Sequence, residues 1–222
     1  MNYFKFSISE NELLALPSGA LWWPDQSILC VSDLHFGKSN RLARKGQSWM
    51  PPYENQDTLL RLEKDLDATN TKKIICLGDS FDDNEASRSL PTDEVLWITK
   101  MQTRREWIWI SGNHDPSPKK LGGTFLESLK IEKLNFQHIA SSKKRFEISG
   151  HYHPKIRVRV KHQSFTKRCF LVDDKRVIMP AYGTYTGGLY CNRDPLRSIM
   201  NQNSIALMTG KEIYPIPISK AN

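Results

Sequence analysis

A chain of 222 residues with 39% hydrophobic and 25% charged residues has the composition of a soluble globular protein, and it is long enough to bury a substantial core as a single domain over residues 1–222. No apolar run approaches the ~20 residues needed to span a bilayer. Lys5, Glu10 and Glu12 interrupt the N-terminal stretch where a signal peptide would keep a continuous apolar segment. The net charge of +8 points to anionic partners, nucleic acid first among them, although solvated lysines alone give the same balance.

In chain order, residues 2–8 alternate as an edge strand does, and residues 11–16 predict a short turn of helix. Residues 19–24 read as a strand, joined by an Asp25-Gln26 turn to the strand Ile28-Leu29-Cys30-Val31. Residues 38–52 form a long basic connection holding Arg41, Arg44 and Lys45 and closed by Pro51-Pro52. A loop of that length is usually functional or disordered. Residues 55–67 predict an amphipathic helix with Leu59, Leu62 and Leu66 on one face. The strand Lys73-Ile74-Ile75-Cys76-Leu77 follows, then a second helix over 92–103 that Thr92 can cap, then the strand Trp107-Ile108-Trp109-Ile110. Strand and helix in alternation imply parallel pairing with helical crossovers.

A proline-rich loop after Asp115 leads to a predicted short helix around 125–129 and a strand over 134–139. Beyond His153 the character changes: residues 155–161, 167–172 and 176–179 read as consecutive antiparallel strands, and 204–208 as one more. Cys30, Cys76, Cys169 and Cys191 show no C-x-x-C pairing, and three lie on predicted strands. They read as buried free thiols of a reducing cytoplasm.

The strands end in groups that carry chemistry. Val31 runs into Ser32-Asp33-Leu34-His35, Leu77 into Gly78-Asp79-Ser80-Phe81-Asp82, Ile110 into Ser111-Gly112-Asn113-His114-Asp115, and Ile148 into Ser149-Gly150-His151-Tyr152-His153. A Gly-Asn pair alone is an ordinary turn, and D-x-H alone carries almost no information. Five of the six histidines fall in or beside these segments, and only His162 lies outside, as a surface residue. Polar side chains gathered at the carboxyl ends of strands form the usual crevice of an α/β sheet.

The ordered set D-x-H, G-D-x-x-D, G-N-H-D and G-H-x-H closely resembles the calcineurin-like metallophosphoesterases. That resemblance implies an α/β fold of two packed mixed β-sheets flanked by helices. It implies that Asp33, His35 and His153 hold one metal ion, that Asp79 bridges to a second, and that Asn113, His138 and His151 complete the second. His138 is the least motif-bound of these, and a non-ligand histidine fits it too. Two cations ~3.5–4 Å apart clamp a phosphoryl group and generate an attacking hydroxide between them. His114 is then the proton donor and Asp115 its orienting partner, while Asp82 braces loops and Asp83 faces solvent. Oxygen and nitrogen ligands without thiolate suit Mn²⁺, Fe or Zn²⁺, and the family favours Mn²⁺.

Asp33-Leu34-His35-Phe36-Gly37-Lys38, Gly150-His151-Tyr152-His153-Pro154 and the segment from Pro180 through Gly187-Gly188-Leu189 narrow the resemblance. They are similar to the bacterial ligase-associated metallophosphoesterases of DNA repair. Those are phosphodiesterases associated with a DNA ligase, a helicase and an exonuclease. From the residues themselves, Lys155-Ile156-Arg157-Val158-Arg159-Val160-Lys161 alternates so that one strand face is basic and the other apolar. Lys143, Lys144 and Arg145 enter the same region. Arg157 and Arg159, with Arg41 and Arg44, are candidate contacts to substrate phosphates, and an ordinary solvated face explains the strand equally. The segment over 184–189 fits a pocket rim or a tight turn. Two alternatives stay open: a small-molecule phosphoesterase of the same fold, and a non-catalytic scaffold, which the full ligand set disfavours.

Overall fold

The computed structural model describes residues 2–47, 50–114, 121–141 and 145–218. Its first sheet runs in chain order through β1 (Phe4–Ile8), β2 (Asn11–Ala15), β3 (Leu21–Trp23), β4 (Ile28–Val31), β5 (Lys73–Leu77), β6 (Glu106–Ile110) and β7 (Thr124–Leu126). Pairing is antiparallel from β1 to β4 and parallel from β4 to β7. The change follows from the connections. Short turns join the early strands, while α2 (Glu54–Thr69) and α4 (Thr92–Gln102) return the chain for parallel pairing. Two shorter helices, α1 (Lys38–Arg44) and α3 (Asn84–Arg88), follow β4 and β5.

The second sheet contains β8 (Ser128–Ile131), β9 (Leu134–Gln137), β10 (Glu147–Ser149), β12 (Gln163–Val172), β13 (Arg176–Ile178), β14 (Ile205–Met208) and β15 (Tyr214–Pro217), with β11 (Lys155–Val160) attached through β12. Here β9, β10 and β13 run parallel and the other pairs antiparallel. A short α5 (Leu196–Ile199) covers part of the outer face.

Alternation along the strands sorts the core into layers. Ile28 and Cys30 of β4 point between the sheets with Phe136, Ile148, Phe170 and Val177, whereas Leu29 and Val31 point outward to Leu59, Leu62 and Leu66 of α2. Burial on both faces explains the nearly continuous apolar runs of β4, β5 and β6. The result is an α/β sandwich of two mixed sheets with flanking helices, as expected.

Several local expectations fail for physical reasons. Residues 11–15 are strand: Leu13 and Ala15 face the second sheet and Leu14 the helical layer, so tertiary alternation overrides a sequence of good helix formers. The segment 125–129 is two strands, because Phe125 and Leu126 pair alongside Trp109 and Ile110. Much of the basic connection after His35 is α1, which the carboxylate of buried Glu54 and the amide of Asn55 hold by accepting from the Ser39 and Gly37 N–H groups at 2.9 Å each. Thr92 is the first residue of α4 and makes no cap, since Pro91 stands at the capping position. All four cysteines are buried.

Candidate metal centre

Parallel β4, β5 and β6 all end at one edge of the first sheet, and there they deliver Asp33, Asp79 and Asn113. Parallel β9 and β10 deliver His138, His151 and His153 from the second sheet. The packed sheets bring the two sets together. His153 Nε2 lies 3.0 Å from Asp33 Oδ1, the His151 N–H donates to Asp33 Oδ2 at 3.0 Å, and His138 Nε2 lies 3.3 Å from Asp79 Oδ2.

The loops are strained to do this. Asp33, His35, Asp79, His151 and His153 all have φ between 46° and 69°, the left-handed region that costs a non-glycine residue of order 1 kcal/mol or more. Two glycines make the convergence possible. A Cβ on Gly78 (φ 74°) would stand 2.5 Å from His138 Nδ1, and one on Gly150 would stand 1.8 Å from Ser32 Oγ and 2.4 Å from Asp33 Oδ2.

Two triads result, Asp33–His35–His153 and Asp79–His138–His151, each with its ligating atoms within 4.8 Å of one another. Hydrogen bonds fix the imidazoles. His35 Nδ1–H donates to Asp82 Oδ1 at 2.8 Å, which leaves Nε2 as a lone pair 3.4 Å from His153 Nε2. His138 Nδ1–H donates to the Leu77 carbonyl at 2.8 Å, so its Nε2 lone pair faces Asn113 Oδ1 at 2.9 Å and His151 Nδ1 at 3.2 Å. Acceptors facing acceptors in a buried site need a cation or a proton between them.

Without a metal ion a proton takes that place. Burial disfavours charge on His138, but the hydrogen bond to Asp79 and the Asp33 and Asp79 carboxylates outweigh it and push the imidazole up to about 9. Burial likewise opposes charge on Asp79, yet His138 and the His114 N–H hold its carboxyl far below the usual range. Asp33 is lowered against its own burial by His153, His138 and His35. Burial and neighbouring His138 lower His151.

Asp33 Oδ1 is buried without a well-aligned donor, a vacancy in hydrogen bonding that a cation satisfies. The donor set is carboxylate, amide oxygen and imidazole, and the residues therefore fit divalent ions of the Mn²⁺, Fe or Zn²⁺ kind.

His114 lies at the exposed mouth. Its N–H donates to Asp79 Oδ1 at 2.8 Å, its Nδ1 donates to the Asp82 carbonyl at 3.1 Å, and its ring meets that of His35 edge-on at 5.5 Å. Asp115, the expected orienting partner, lies outside the described residues, as do Lys143 and Lys144. Asp82 does brace the site: it binds His35, Arg41 and, at 3.7 Å, Lys38. Asp83 is engaged where a solvent-facing residue was expected, accepting from the Ala86 N–H at 2.7 Å to start α3 and pairing with Arg44 at 2.7 Å. Arg41 and Arg44 thus both have carboxylate partners beside the cleft. Arg157 and Arg159 lie on β11, two and three turns of the pleat beyond His153, and both are exposed.

Sequence reasoning passed over two supports. The carbonyls of Leu77 and Asp82 orient the rings of His138 and His114 by accepting from Nδ1–H, and backbone acceptors leave no trace in residue identity. The 184–189 segment also serves the ligand loop, since Leu189 N–H donates to the Tyr152 carbonyl at 3.2 Å.

A family model described as calcineurin-like phosphoesterase matches residues 26–208. The crystal structure of the Pseudomonas putida nuclease MPE superposes with a TM-score of 0.74 at 23% identity, covering 97% of this chain and 100% of that one. Yfce, a phosphoesterase from E. coli, superposes with a TM-score of 0.41 at 13% identity over 73% of this chain and 83% of that one. No curated protein matches the sequence.

Proposed function

The chain belongs to the calcineurin-like phosphoesterase family, and from that premise we propose that it is a two-metal phosphodiesterase acting on nucleic acid. The observation that carries the reading is the convergence of two ligand triads, one centred on Asp33 and one on Asp79, with imidazole lone pairs aimed at carboxylate and amide oxygens. In this proposal Asp33, His35 and His153 hold one ion, Asn113, His138 and His151 the other, and Asp79 both, within one domain over residues 1–222. The ions, Mn²⁺ by preference over Fe or Zn²⁺, supply Lewis acidity that makes phosphorus electrophilic and water acidic near neutral pH.

The remaining work falls to the chain's own groups. His114, as the imidazolium, donates a proton to the leaving oxygen from Nε2 while its Nδ1–H stays on the Asp82 carbonyl. Asp115 assists that orientation. Asp82 keeps His35 in the tautomer whose Nε2 is free to bind a cation. In this reading Arg41, Arg44, Arg157 and Arg159 contact substrate phosphates.

Nucleic acid as substrate rests on the charge of +8 and on the likeness to the Pseudomonas putida nuclease. A role in DNA repair beside a ligase, a helicase and an exonuclease, in the cytoplasm, follows from the ligase-associated resemblance. No helix among the described residues is long and apolar enough to cross a membrane. A small-molecule reading calls for a capped pocket, whereas the cavity of about 390 Å³ beside Asn113 and His138 opens to solvent. A panel of bis(4-nitrophenyl) phosphate, 4-nitrophenyl phosphate, cyclic nucleotides, single-stranded and duplex DNA, and RNA decides. Metal-dependent cleavage of the aryl diester and a polynucleotide is expected, and cleavage of cyclic nucleotides alone favours the second reading.

A further inference from the structure

Resting on the nucleic-acid reading above, we propose that the β11–β12 hairpin is a clasp for single-stranded nucleic acid, which holds phosphates on one face and unpaired bases on the other. Cys169–Val172 of β12 pairs with β14 in the sheet, whereas, among the described residues, 163–167 pair with β11 alone. The hairpin therefore projects as a two-stranded ribbon, a form that is marginal in water unless something packs on it. Residues 159–167 are all exposed.

Charge on the ribbon is of one sign. Between Glu147 and Asp173 the sequence has no acidic residue, while Lys155, Arg157, Arg159, Lys161, Lys167 and Arg168 are cationic. Among the described residues, Arg157, Arg159, Lys161 and Lys167 form no ion pair. A solvated ribbon needs no such bias, and a row of phosphates does.

The cross-strand register then sorts the two faces. Lys155 opposes Arg168, Arg157 opposes Thr166 and Arg159 opposes Ser164, giving a face of cations and hydroxyls. Tyr190 braces it: its hydroxyl accepts from Arg157 Nη2 at 2.8 Å, and Lys155 Nζ and Arg157 Cζ lie 4.6 and 5.0 Å from its ring centre. The guanidinium is thus oriented before any ligand arrives. On the other face Val158 opposes Phe165 and Val160 opposes Gln163, with Val160 53% and Phe165 44% exposed.

A ribbon only two strands wide lets a flexible strand drape over its edge, so that phosphates meet the arginines while an unstacked base meets Phe165. A stiff duplex cannot bend so sharply, and its bases are already stacked. The ribbon also starts beside a candidate metal ligand. Lys155 is two residues beyond His153, and at ~3.3 Å per residue Arg157 and Arg159 lie at most about 13 and 20 Å along the chain from it.

The test is anisotropy of a short labelled oligothymidylate, and of the matching oligouridylate, titrated with full-length protein in chelator across a range of salt. Chelator stops cleavage and isolates binding. Arg157→Ser/Arg159→Ser is expected to flatten the plot of log affinity against log salt by about 1.4, two contacts at ~0.7 each. Phe165→Ser is expected to weaken binding about 5- to 100-fold with its slope unchanged. Both variants should keep the wild-type thermal melt, because the three positions are exposed. An unchanged slope in the arginine variant, wild-type affinity in Phe165→Ser, or equal binding of a blunt duplex of the same length overturns the clasp. Wild-type protein that shows these binding effects yet hydrolyses no aryl diester with Mn²⁺ supports the clasp and overturns the phosphodiesterase reading.

Discussion

Asp79 and His114 are joined by a hydrogen bond and yet should answer to mutation differently. Asp79 Oδ2 faces His138 while Oδ1 accepts from the His114 N–H. As the shared ligand it would also screen the mutual repulsion of two cations, which a neutral imidazole cannot do. Asp79→Asn is therefore expected to lose metal at both positions, and Asp33→Asn mainly at one, as elemental analysis of the purified variants would show. Two ions per chain in both variants would remove Asp79 from the bridging role. His114 has its Nδ1 on a carbonyl, not on a ligand. His114→Ala is expected to keep its metal content and to lose roughly 10²–10⁴-fold in turnover, the usual worth of a positioned proton donor. Near wild-type rates, or a metal-free variant, would contradict that role. These residues were legible in the sequence because each stands in a short motif directly after a strand. The strain at Asp33, His35, Asp79, His151 and His153 was not, because a left-handed φ at Asp or His leaves no signature in residue type.

At the scale of elements, α1 is what the sequence least disclosed. Its seven residues read as a polar loop because the helix owes little to an apolar stripe and much to distant carboxylates. Arg41 pairs with Asp82, Arg44 with Asp83, and Ser39 with Glu54, so partners far along the chain fix the helix beside the cleft. Asp82 ties this helix to His35. Burial opposes its charge, but His35, Arg41 and Lys38 prevail and lower its carboxyl from 3.8 to about 2. A lowered folded-state pKa means that Asp82 contributes stability above about 3.8 and that this contribution fades as pH falls through about 2. In chelator-stripped protein, denaturant stability should therefore fall between about pH 4 and pH 2, and fall less steeply in Asp82→Asn, which starts lower. Some slope remains in the variant because Asp33 and Asp79 are lowered too. Identical slopes would show that Asp82 is not coupled to folding. The strands, by contrast, were mostly readable from their apolar runs, and failed at 11–16 and 125–129 where pairing partners decided the conformation.

The molecule as a whole places half of the centre on each sheet, so the site exists only while the sandwich is closed. Phe136 lies between the sheets at 1% exposure, its ring 6.5 Å from that of Trp23, two residues before His138. Phe136→Ala should destabilise the protein by about 3–5 kcal/mol and also weaken binding of the ion assigned to Asn113, His138 and His151. Denaturant melts read the first effect and calorimetric metal titration the second. A variant that loses stability and keeps full metal affinity would show that the centre does not depend on sheet packing. Two ions held between the sheets would supply the phosphodiesterase chemistry proposed above. The most direct measurement follows the rate of bis(4-nitrophenyl) phosphate hydrolysis as Mn²⁺ is added back to chelator-stripped protein. No turnover in the stripped protein and a rate that levels off at two ions per chain is the expected result; equal turnover in excess chelator, or a plateau at a single ion, would contradict it.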